Sequence, residues 1–202
     1  IPAADPLLAD IQVTMRSAPF RTIAGELGYG TGEGARAEAS WTHRNLLGPE
    51  GALTARAVIG TKEQEGGLVV RKSNFYKRDV VLNARLLASN TDQDAYDART
   101  IELGFGLERQ SNIIWQKRWT WSGGVELLAT DERDMAANVL SARRRTYLLA
   151  VAPASLGYDR SNDLLDPTRG FRLGVRVAPE ISLRNGTNAY VRMQLDGSAY
   201  VP

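Results

Sequence analysis

The chain has no cysteine and a single histidine. Disulfides and thiolate metal sites are excluded, and so is a histidine cluster. No run of about 18 apolar residues occurs, so no transmembrane helix is encoded. That absence leaves a membrane barrel open, because a spanning strand shows apolar side chains only at alternate positions and its averaged hydropathy stays ordinary. The net charge of +2 is too small to imply nucleic acid as a partner. No nucleophile–base pair and no ligand cluster stands out, so neither an enzyme, a metal site nor a cofactor is expected. There is no initiator methionine and no signal peptide ahead of Ile1-Pro2, which reads as a processed product.

What is present is alternation. From Trp119 one series reads Trp119, Trp121, Gly123, Val125, Leu127, Ala129. The interleaved series, from Arg118 through Ser122 and Glu126 to Thr130, is polar apart from Leu128. A period of two places the series on opposite faces of a strand. Similar segments are expected at Arg21–Tyr29, Ala35–Arg44, Ala52–Gly60, Leu68–Lys72, Asp79–Asn90, Ala98–Arg109, Phe171–Leu183 and Ala189–Val201. Arg145–Tyr158 is apolar on both faces and contains Pro153, which predicts a bulge or bend. Lys62–Gly67 reads as a charged turn, Asp131–Arg144 as a long charged loop, and Asp159–Arg169 as a turn region. About ten strands in hairpin order result, an all-β antiparallel meander.

Alternation alone does not say which face is buried, and a soluble sandwich or ligand-binding barrel starts with the larger prior. Two features favour a membrane barrel. The apolar face is rich in small residues such as Ala35, Ala37, Ala39, Ala55 and Ala57, whereas a dry core needs large interlocking side chains. The aromatics also sort by height. Phe20, Trp41, Phe75, Tyr76, Trp115, Trp119, Tyr158, Phe171 and Tyr200 fall at one rim, and Tyr29, Tyr96, Tyr147 and Tyr190 at the other, as two interfacial girdles would.

The polar face then lines a hydrated lumen. It carries Arg36, Glu38, Arg56, Arg85, Glu102, Glu108, Arg118 and Glu126, and beyond the long loop Arg172, Arg176, Glu180, Arg192 and Asp196. Both signs are interspersed, so cross-strand pairs are available. The stretch Asp166-Pro167-Thr168-Arg169-Gly170 is a proline-fixed, glycine-ended turn. His43, beside Trp41 at a strand end, reads as an interfacial side chain, and Arg143-Arg144-Arg145 as a solvated loop end with lipopolysaccharide phosphate a lesser option.

The segment RTIAGELGYGTGEGARAEASWTHRNLLGPEGALT (Arg21–Thr54) resembles the barrel of TamA-type outer-membrane translocation and assembly factors. These lie within the bacterial surface-antigen family that also contains the BamA insertase. The likeness continues through Arg71-Lys72-Ser73-Asn74-Phe75, Tyr96-Asp97-Ala98-Arg99-Thr100, Tyr158-Asp159-Arg160 and the Asp166–Gly170 turn. It implies a transmembrane barrel of which residues 20–202 form the N-terminal part, with residues 1–19 leading in from an upstream periplasmic POTRA domain. The family's inward loop with its Val-Arg-Gly-aromatic motif and its closing strand are not found here, so a partial barrel is expected, with edge-to-edge self-association at Ala189–Val201 a hazard.

The resemblance further implies a bacterial outer-membrane location and insertion or export of β-barrel or autotransporter clients without nucleotide hydrolysis. Outer-membrane lipid and a periplasm-spanning protein reached through the upstream domains are the implied partners. The gate would lie at the first barrel strand, here Arg21, Thr22, Ile23, Gly25, Leu27, Gly28 and Tyr29. Gly25 and Gly28 would either weaken that strand or relieve crowding at a tight bend. A passive outer-membrane pore is the competing function.

Overall fold

The computed structural model describes residues 13–14, 17, 19–94, 96–134, 144–184 and 188–201. Among them there is no helix. The chain forms one eleven-stranded antiparallel sheet: β1 (Arg21–Gly30), β2 (Gly34–His43), β3 (Gly51–Gly60), β4 (Glu63–Lys72), β5 (Val80–Asp92), β6 (Tyr96–Arg109), β7 (Trp119–Asp134), β8 (Arg144–Val151), β9 (Ala154–Asp159), β10 (Gly170–Ser182) and β11 (Ala189–Tyr200). Sequential strands are neighbours throughout, except that β8 and β9 share one lane between β7 and β10. The expected all-β meander of about ten strands is therefore what the chain folds into, ten lanes wide. Nearly all of the expected lead-in, 1–19, lies outside the described residues.

Three local expectations need correction. The charged stretch Lys62–Gly67 is strand, not turn, apart from its first residue: β4 starts at Glu63, and the hairpin tip is Thr61-Lys62. Two glutamates and two glycines imitate a loop, but Glu65 has a cation waiting across the ladder at Arg56. The loop after β7 is shorter than expected, because Asp131–Asp134 continues β7 and Arg144 opens β8. The interruption at Pro153 is not a bulge. Val151 pairs with Glu126 and Ala154 with Gly123, so the register runs through Ala152 and Pro153 without an extra residue. Proline removes a donor, not a step of the chain.

The registers assign every strand residue to a face. One face carries Ile59, Leu86, Ile101, Leu103, Phe105, Val125, Leu127, Leu156, Leu173 and Leu195, all exposed. Leu103 is 52% and Val125 57% accessible. A soluble sandwich would cover these side chains with a second layer, and the single sheet has none. The two buried apolar side chains among the described residues, Val58 (2%) and Val81 (5%), lie on the other face among the charges.

The aromatics occupy the expected heights, yet the second girdle does not hold. At the rim where β1 starts, Trp119, Tyr158 and Phe171 stand on the apolar face, with ring centroids 4.6 Å apart for Trp119–Tyr158 and 5.9 Å for Tyr158–Phe171. At the opposite rim only Tyr29 lies on that face. Tyr96, Tyr147 and Tyr190 share the face of Thr100, Thr130 and Glu180, and the Tyr190 hydroxyl donates to Glu180. Height along the strand was right for these tyrosines; parity was not.

Candidate functional site

Two features of the sheet are candidates: its first strand and its charged face. β1 pairs with β2 from Arg21↔His43 to Gly30↔Gly34 and has no partner on its other side among the described residues. Nine of its ten residues, Arg21–Tyr29, are exposed. The apolar parity holds Ile23, Gly25, Leu27 and Tyr29, and the charged parity Thr22, Glu26 and Gly28. A row of unpaired backbone donors and acceptors is a template for another strand.

The two glycines in that strand are not there for space. A Cβ on Gly28 would touch nothing, and one on Gly25 would meet only the Glu38 carbonyl at 3.6 Å, an ordinary contact. Neither has a positive φ. Among the described residues nothing crowds either position, and what the glycines bring is loss of ladder stability, roughly 0.5–1 kcal/mol per glycine relative to alanine. Charge works in the same direction. Glu26 stands directly opposite Glu38. Glu38 is taken by Arg36 at 3.3 Å and Arg56 at 2.7 Å, while Glu26 has no ion pair among the described residues. Like charges directly opposite weaken a strand pair.

Twelve of the thirteen charges expected on the polar face share it by register, Arg118 lying just ahead of β7, and most are joined. Arg56 on β3 bridges Glu38 on β2 and Glu65 on β4. Arg85 on β5 bridges Glu102 on β6 and, at 2.9 Å, Glu126 on β7. Glu108 receives Asn83 at 3.0 Å and lies 3.7 Å from Arg71. Arg176 meets Asp196 at 4.0 Å, and Arg192 pairs with Glu180. Arg118 has no ion partner among the described residues. Glu65, Arg71, Asp159 and Glu26 were not anticipated on this face. The first three were hidden in segments read as turn or weak strand, and Glu26 in a strand judged only by its glycines. Apart from the pair made by the buried Glu180, these pairs are water-accessible, so each of them contributes only about 0–1 kcal/mol.

The Asp166–Gly170 turn closes a loop built on side chains. Asn162 Oδ1 accepts from the Thr168 and Arg169 amides at 3.0 and 2.8 Å, and its Nδ2 donates to Thr168 Oγ1 at 2.9 Å. Asp163 accepts from the Leu165 and Asp166 amides, and these bonds hold its carboxyl below the usual range. Arg172 closes the loop from β10, donating to Asp159 Oδ2, Ser161 Oγ and the carbonyls of Asp163 and Leu164. Gly170 has φ +109°, and a Cβ there would collide with the Arg160 carbonyl oxygen. The turn is structural.

His43 ends β2, its ring 5.9 Å from that of Trp41, and its Nδ1 accepts from the Asn45 amide at 3.3 Å. Arg144 is bonded to Asp131 inside the ladder and is not a free loop end; Arg143 lies outside the described residues.

The Omp85 superfamily domain matches residues 29–202. The solved structure of BamA from Haemophilus ducreyi lacking POTRA domains 1–3 is similar, with a TM-score of 0.62 and 18% sequence identity. The match covers 93% of this chain and 38% of that one, so the chain spans well under half the length of that structure. At this identity the likeness speaks for the fold alone. No match was found among curated proteins.

Proposed function

The chain belongs to the Omp85 superfamily, and from that premise we propose that it forms part of the barrel wall of an outer-membrane protein assembly or translocation factor of TamA type. The observation that carries the reading is β1: an exposed strand that pairs on one side only among the described residues, two glycines that no contact there requires, and a carboxylate facing another across its ladder to β2. In hydrocarbon each unsatisfied backbone group costs several kcal/mol. A free edge beside lipid is therefore a strong template, and an incoming client strand gains its ladder by pairing there. The exposed apolar face meets acyl chains, and the bridged charges line water. No bond-making chemistry is needed, and the reading is of a non-enzymatic factor that requires no cofactor. Its partners are outer-membrane lipid, β-barrel or autotransporter clients, and a periplasm-spanning protein reached through upstream domains.

The test is a reversible lock. In the full-length protein, cysteines at Ile23 or Leu27 and on the closing barrel strand are oxidised, and insertion of a β-barrel client into liposomes is followed. Insertion should stop on oxidation and return on reduction. Insertion at the unlocked rate in the oxidised protein would sink the gate, and steady ion conductance without client insertion would favour a pore.

A further inference from the structure

The rim at which β1 starts carries two neighbouring loops, 73–79 between β4 and β5 and 110–118 between β6 and β7. They are stapled together through Asp79. Its carboxylate accepts from Lys117 Nζ at 2.8 Å and from Asn112 Nδ2 at 3.3 Å, and its carbonyl accepts from the Gln110 amide. Asn112 Oδ1 in turn fixes the Trp115 amide at 2.7 Å. The staple sets the Arg78 guanidinium over the Trp115 ring, 3.8 Å from its centroid.

The loop backbone is held under strain. Asn74, Tyr76 and Asp79 all have φ between 53° and 64°. For a bulky residue such as Tyr76 this region costs on the order of 1–2 kcal/mol. The outcome is a tyrosine that is 90% exposed with Lys77 5.7 Å from its ring, while on the neighbouring loop Ile113 and Ile114 are 71% and 81% exposed. The charges are unbalanced as well. The two loops and their strand ends hold four cations, Lys77, Arg78, Arg109 and Lys117; Arg78, Arg109 and Lys117 act on Asp79, while Glu50 is taken by Asn74 and Glu108 by Arg71 and Asn83. Among the described residues Lys77 and Arg78 have no carboxylate within ion-pair distance. Exposed apolar tips, aromatic rings and uncompensated cations at the end of an apolar wall are the composition of a bilayer interface.

We propose that the 73–79 and 110–118 loops form a binding site for an anionic phospholipid headgroup. Lys77 and Arg78 take the phosphate, and Ile113, Ile114 and Trp115 enter the acyl boundary. The Arg78–Trp115 stack orients the guanidinium so that its N–H edge stays free for phosphate oxygens. Arg78 and Trp115 come from different loops, so the site exists only when the Asp79 staple is made. The inference rests on the membrane reading of the wall.

The test uses the full-length protein extracted from bilayers of phosphatidylcholine with graded phosphatidylglycerol, and native mass spectrometry counts the lipid retained. The wild type should retain phosphatidylglycerol preferentially. Lys77→Gln/Arg78→Gln should lower that preference by about tenfold or more, from the loss of two near-surface charges, and Arg184→Gln at the opposite rim should not. Asp79→Asn, which opens the staple and leaves all four cations in place, should also weaken it. An unchanged preference in the double variant overturns the site, as does release of the lipid by millimolar inorganic phosphate, which would mark a free-anion site. A protein that inserts clients but shows no lipid preference overturns this inference alone. One that never enters bilayers overturns the function proposed above with it.

Discussion

Arg85 reaches Glu126 by lying across Gly104. The three residues form one row through β5, β6 and β7, and a Cβ on Gly104 would sit 3.0 Å from Arg85 Cγ and 3.1 Å from its Nε. The glycine is the channel through which a guanidinium crosses a whole strand. Gly104→Val should displace Arg85 and uncouple it from Glu126. Glu126→Gln should cost about 0.5 kcal/mol in the wild type, in keeping with a solvent-screened pair, and nothing measurable in the Gly104→Val background. Urea unfolding of the four proteins of the cycle in detergent checks this; equal costs in both backgrounds would contradict the crossing.

Gly25→Ala and Gly28→Ala should fold normally, because both positions have room for a methyl group. Each should strengthen the β1–β2 ladder by about 0.5–1 kcal/mol. If β1 must yield for a client to enter, the double variant should be more stable and slower in client insertion. Unfolding midpoints and liposome insertion rates measure the two effects separately.

Glu26→Gln removes the carboxylate opposite Glu38. Hydrogen exchange of the Thr22–Gly28 amides should slow by a factor of about two to three, the equivalent of a few tenths of a kcal/mol. Exchange in the β6–β7 ladder should not change, which separates a local effect from a global one.

Gly170→Ala should be poorly tolerated. The residue needs φ +109°, and the new methyl would strike the Arg160 carbonyl. A loss of at least about 1–2 kcal/mol is expected, seen as a lower melting temperature of the folded band on cold gels. Asp166→Ala, in the same turn but without a backbone constraint of this kind, should cost far less.

Acid should open the Asp79 staple. Its hydrogen bond to Lys117 holds the Asp79 carboxyl below its ordinary value of 3.8. A carboxyl whose folded value is depressed adds stability that is complete above the unfolded value and lost as pH falls through the folded one. Trp115 fluorescence should therefore stay constant from neutral pH to about pH 4 and change below it. Asp79→Asn should remove that acid transition and leave a Trp115 environment that no longer depends on pH there.

The meander was legible because period-two alternation survives in nearly every strand, and with it the assignment of Leu103, Val125 and Leu173 to one face and Arg85, Glu102 and Glu126 to the other. β4 was half missed, since Glu63, Glu65, Gly66 and Gly67 have loop composition and only the ladder to Arg56 shows why they are strand. The tyrosines misled differently. Tyr96, Tyr147 and Tyr190 sit at the right height, but height is counted from turns, whereas facing depends on parity within each strand. The Gly104 crossing and the Asp79 staple could not be read at all. Both are relations between residues brought level by register, and neither leaves a local pattern in the chain.

The lane shared by β8 and β9 has a consequence for how the wall deforms. Pro153 and Pro179 lie on adjacent lanes within one residue of the same level; each lacks an amide proton and keeps only the rung its carbonyl accepts, from the Gly124 amide and from the Ala152 amide, both at 3.0 Å. Because the register is unbroken on either side, the sheet has a scored line and not a fault. It can crease along that half-bonded line while the rungs on either side stay closed, which places the compliant part of the wall far from β1.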